Sequence, residues 1–95
     1  MTHNDKVKLA RQNKYIPTDI ILEDIADTQA EINQMEIEAE YYERTPLSFP
    51  TARLDHMRAE VRRTGIKERK EFIEKLKAIL EVRQRKTHET TYNKI

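Results

Sequence analysis

The chain has 95 residues, with 18 Lys or Arg against 17 Asp or Glu, a single glycine and no cysteine. That length makes one small domain at most, the missing thiols exclude disulfides and thiolate sites, and one glycine excludes the usual Gly-rich phosphate loops. Near-neutral charge argues against a general nucleic-acid coat, no apolar run reaches the length of a membrane span, and the polar start is no signal peptide, so a soluble cytoplasmic protein without membrane partners is expected.

Charge is sorted along the chain. Residues 17–45 hold nine carboxylates (Asp19, Glu23, Asp24, Asp27, Glu31, Glu36, Glu38, Glu40, Glu43) against Arg44 alone, whereas residues 50–86 hold twelve Lys or Arg against six acids. An acidic segment, a Pro-flanked turn and a basic segment predict an all-α fold. Its expected form is an antiparallel helical hairpin with an acidic first and a basic second helix, whose arms attract one another. Ile, Leu, Val and Phe total 21 residues, too few to hide both faces of a two-helix seam. Assembly into a homo-oligomeric bundle, at least a dimer, is therefore expected.

Residues 1–16 read as a basic arm or short helix, with Lys6, Lys8, Arg11 and Lys14 against Asp5. Asn4 is the expected cap, and Val7, Leu9 and Ala10 supply a little apolar surface. A helix this short needs packing to persist. The hairpin proper is expected over 17–86, starting at Pro17-Thr18-Asp19, where Pro suits a first turn and Asp suits the positive end of the helix dipole. Ile21, Ile25, Thr28, Ile32, Met35, Ala39 and Tyr42 then step by four and three residues, a sustained heptad seam. Ile20, Leu22 and Ile37 widen it toward a bundle-type face. The flanking acids would repel a parallel copy, so a basic helix is the better neighbour.

Thr45-Pro46-Leu47-Ser48-Phe49-Pro50 closes the first helix, because the residue before proline is pushed out of helical geometry. Ser48 is the expected N-cap of the next helix, with Leu47 stapled onto Ala52. The seam is expected to be the oligomer seam as well, and its second arm is assigned to Leu54, Met57, Val61, Phe72, Leu76 and Ile79. Its rhythm fails at Thr64-Gly65-Ile66. A C-terminal cap at Gly65 is the favoured explanation, and one long helix with a stutter is the other. Residues 87–95 read as a flexible tail.

For chemistry, His3, His56 and His88 are scattered, with no nucleophile, base and acid set and no Glu-x-x-His pair. No enzyme activity, metal or cofactor is expected. The basic helix offers Arg58, Arg62 and Arg69 near one face beside Gly65, with Arg63 and Lys67 extending the field. Guanidinium forks take phosphate oxygens in pairs, and Tyr15, among basic residues, can stack on a base. These six residues are the candidate ligand or phosphate site. The plainer account is that the bases neutralise the acidic helix. The leading expectation is a non-enzymatic binding protein (an adaptor, inhibitor or regulator of the phage or mobile-element accessory kind) that acts through protein contacts as a homo-oligomer. A nucleotide or nucleic-acid phosphate binder, sequestering its ligand at an oligomer interface, is the alternative.

Overall fold

The computed structural model describes residues 1–93, with side chains over 1–85. Among the described residues the fold is all-α: α1 (His3–Gln12), α2 (Thr18–Glu43) and α3 (Ala52–Asn93). The described residues divide into two compact units, residues 1–25 with 72–93 and residues 26–71.

In the first unit, the basic arm is the helix α1. Thr2, not Asn4, caps it: its hydroxyl accepts from the Asp5 amide at 3.2 Å, and the Asp5 carboxylate accepts from the Thr2 amide at 3.2 Å. Thr2 suits the role because its extended backbone lets the side chain curl back onto the free amides of the first turn. At the other end the Asn13 amide group donates to the Leu9 carbonyl at 2.8 Å. No residue of α1 is fully buried, so its order comes from docking. Leu9 and Ala10, with Ile25 and Leu80, pack on a core of Ile21, Leu76 and Ile79. Lys6 pairs with Glu81 at 2.9 Å. Arg83 donates to the Thr18 hydroxyl at 2.8 Å and to the carbonyls of Asn13 and Ile16, which fastens the α1–α2 connection. The tail expected over 87–95 lies outside the described side chains, and the helical backbone of α3 runs to Asn93.

In the second unit, the predicted row of α2 faces inward. Thr28, Ile32 and Ala39 are buried there, and Met35 and Tyr42 are half-buried. The row on α3 differs from the expected one. Leu54, Met57 and Val61 are exposed, and so is Phe72 in the first unit. The inward row of the second unit is Ala52, Asp55, Ala59, Arg62, Ile66 and Arg69, buried or half-buried at steps of three and four. Ile73, Leu76, Leu80 and Arg83 continue the same steps in the first unit. The reason is steric and electrostatic. Alanine at 52 and 59 leaves room for a neighbouring backbone, while Arg62 and Arg69 lie along the interface and send their charged ends to its rim.

The same shift removes the apparent stutter. The α3 helix is continuous through Gly65, and no glycine has positive φ. Gly65 is therefore not a cap. A Cβ at this position would lie 2.5 Å from the Met35 terminal methyl and 3.2 Å from an Arg69 guanidinium nitrogen. The glycine leaves space that the Met35 methyl occupies.

The connection between α2 and α3 is anchored by polar contacts. Leu47 is 84% exposed, so no staple forms, and α3 begins at Ala52, beyond the cap position that Ser48 would define. The buried Asp55 carboxylate instead accepts from the hydroxyls of Thr45 at 2.9 Å and Thr51 at 3.2 Å. His56 Nε2 lies 3.1 Å from the Thr45 carbonyl, so the ring donates there. These bonds fasten both the side chain and the backbone of Thr45 to the first turn of α3.

Candidate functional site

Acidic α2 and basic α3 meet in ion pairs on both flanks of the inward rows. Glu31–Arg69 at 2.8 Å and Glu38–Arg62 at 2.7 Å form one series. Glu36–Lys70 at 3.7 Å and Glu43–Arg63 at 2.6 Å form the other. In each series a step of seven up α2 matches a step of seven down α3. The bond from Arg62 holds the Glu38 carboxyl below its ordinary pKa, helped by Gln34. The bond from Arg63 does the same for Glu43, and Glu43 in turn raises Arg63.

This pairing bears directly on the six candidate phosphate ligands. Arg62, Arg63 and Arg69 each face a carboxylate of α2, and Arg58 pairs with Asp55 at 3.0 Å. The guanidinium carbons of Arg62 and Arg58 lie 4.8 and 5.7 Å from the Tyr42 ring centre, which gives these groups a second local contact. An incoming phosphate would have to displace a carboxylate at each arginine. Lys67 is exposed, with no ion pair among the described residues. Tyr15 belongs to the other unit, is 86% exposed, and carries the Lys14 ammonium 4.9 Å above its ring. The six do not form a common site within either unit.

Two features remain. On the outer side of α3 in the second unit, Leu54, Met57 and Val61 expose large apolar surface at steps of three and four. Arg53 and Glu60 border them, exposed and without an ion pair among the described residues. In the first unit, α1 with Lys14, and residues 82–85 of α3, line a half-open cleft of about 390 Å³ with a basic rim. Sequence reasoning assigned the first set to the oligomer seam, in one row with the buried Leu76 and Ile79, and missed the second. Its members are far apart in sequence, so only the heptad offset of α3 could have exposed the first, and nothing local marks the second. Among the described residues, no group of three or more His, Asp or Glu is arranged to hold a metal ion, and no helix is long and apolar enough to cross a membrane. In comparisons with protein-family models, curated proteins and solved structures, nothing matches the chain.

Proposed function

We propose that the protein is a non-enzymatic α-helical binding protein, an adaptor, inhibitor or regulator, whose acidic and basic helices form an antiparallel hairpin. It acts through protein contact as a homodimer that pairs along the outer stripe of α3. The observation that carries this reading is the exposure of Leu54, Met57 and Val61 on a helix whose opposite row is already filled. Three large apolar side chains in helical register on an outer face are a contact surface in waiting.

The occupant that fits is a second copy. A two-fold axis at Met57 lays the stripe on itself in the opposite direction, with Leu54 against the partner's Val61 and Met57 against the partner's Met57. Two-fold interfaces require such self-complementarity. The same axis brings Arg53 of each copy toward the partner's Glu60, so these two residues, which have no ion pair among the described residues, find opposite partners. The heptad series of ion pairs between α2 and α3 supports the hairpin itself.

The test is sedimentation equilibrium on the wild type and on the double variant Leu54→Glu, Val61→Glu. The reading expects a dimer for the first and a monomer of unchanged helix content for the second. A wild type that stays monomeric at concentrations on the order of 100 μM, far above a typical specific Kd, would defeat the proposal. So would a double variant that stays dimeric.

A further inference from the structure

The basic-rimmed cleft of the first unit is a site of another kind, independent of the α3 stripe. Its volume, about 390 Å³, lies in the range of small-molecule pockets. Val7, Ala10 and Val82 form an apolar floor, and Arg11, Lys14 and Arg85 with His3 form the rim. His3, Val7, Ala10 and Arg11 fall at the spacing that places residues on one face of α1, and Lys14 follows in the turn after it. Among the described residues, no carboxylate lines the cleft.

The rim is partly pre-positioned. Arg85 is held by Glu81 at 2.9 Å and donates to His3 Nδ1 at 3.2 Å. Arg83, also in the lining, is fixed by its bonds to Asn13, Ile16 and Thr18. Arg11 and Lys14 have no carboxylate partner among the described residues, in contrast to the arginines that face α2. Like charges gathered around apolar surface repel one another, and an anion between them relieves that repulsion. A guanidinium also binds the oxygens of a phosphate two at a time. The floor calls for an apolar or flat body attached to that anion.

We propose that this cleft binds a small organic phosphate of the nucleoside monophosphate kind. The phosphate sits on Arg11 and Lys14, beside the Arg85 that Glu81 already holds, and the base lies against Val7, Ala10 and Val82. The test is isothermal titration of the full chain with AMP, adenosine and inorganic phosphate, alongside methyl chemical shifts. AMP binds one per chain, at least tenfold tighter than adenosine or phosphate, and shifts the methyls of Val7, Ala10 and Val82. The exposed double variant Arg11→Gln, Lys14→Gln weakens AMP about tenfold or more, as loss of charged hydrogen bonds requires, with an unchanged circular dichroism spectrum. Lys67→Gln, Lys70→Gln removes the same charge from the second unit and leaves AMP affinity within about twofold, because neither residue lines the cleft and exposed charges are screened by salt. No AMP binding, equal loss in both double variants, or phosphate alone binding as tightly as AMP would each overturn the proposal.

Discussion

Replacing Ile66 by Ala removes three carbons from a side chain that is only 5% exposed. At about 0.8 kcal/mol per buried carbon the transfer loss is ~2.4 kcal/mol. The cavity left behind raises the expected cost to about 2–4 kcal/mol, a large share of the roughly 5–15 kcal/mol that holds a domain of this size together. Val61, five residues earlier, is 70% exposed. Its truncation to Ala loses about 0.5 kcal/mol of burial and gains a similar amount of helix propensity, so the sum is near zero. Urea unfolding followed by circular dichroism measures both. A dimer through the outer stripe adds a concentration-dependent contribution to the Val61 variant alone, so the pair is compared at two protein concentrations a hundredfold apart. A loss above about 1.5 kcal/mol for Val61→Ala at the lower concentration, with a loss below about 1 kcal/mol for Ile66→Ala, would reverse the inner and outer rows of α3.

Further outcomes follow from the same contacts. Gly65→Ala gains about 1 kcal/mol of helix propensity and must move the Met35 methyl, the end of a flexible side chain, so its stability stays within about 1 kcal/mol of wild type. Gly65→Leu has no such escape and loses cooperative unfolding at a lower urea midpoint; equal midpoints for the two variants would contradict the packing. Asp5, Glu38, Glu43, Asp55 and Glu81 have folded-state pKa values below their ordinary 3.8 or 4.5. The unfolded chain thus takes up protons first as pH falls. Their contribution is complete above those ordinary values and is lost as pH drops through them toward the lower folded values. An acid titration of the urea midpoint that stays flat below pH 4.5 would refute this. The Thr45 hydroxyl is the largest cause of the lowered Asp55 pKa, so Thr45→Val moves that carboxyl up toward its ordinary value in an NMR titration. No upward movement would remove Thr45 from its anchoring role.

The inward row of α2 was legible because Ile21, Ile25, Ile32 and Met35 are large apolar residues at heptad spacing. The row of α3 was not, because Ala52, Asp55, Ala59, Arg62 and Arg69 occupy it. Small residues are selected there by how closely the next backbone approaches, and the arginines by carboxylates on another helix. Neither property belongs to α3's own sequence. Larger residues one position away, Leu54 and Val61, therefore drew the assignment to the wrong row, and a glycine between mismatched rows looked like a break. The sorting of charge was plain, and it appears in the structure as ion pairs that engage the arginines read as phosphate ligands. The cleft joins residues 3–14 to 82–85 and becomes visible only when the ends of the chain are folded together.

The absence of cysteine from the chain makes one cross-linking experiment especially direct. Met57→Cys places a single thiol on the proposed two-fold axis, where a disulfide needs Cβ atoms about 4 Å apart. Under mild oxidation this variant should convert to a covalent dimer with its helix content intact, whereas Glu23→Cys under the same conditions should stay monomeric. Equal cross-linking of the two, or none at Met57→Cys, would contradict self-pairing through the outer stripe of α3.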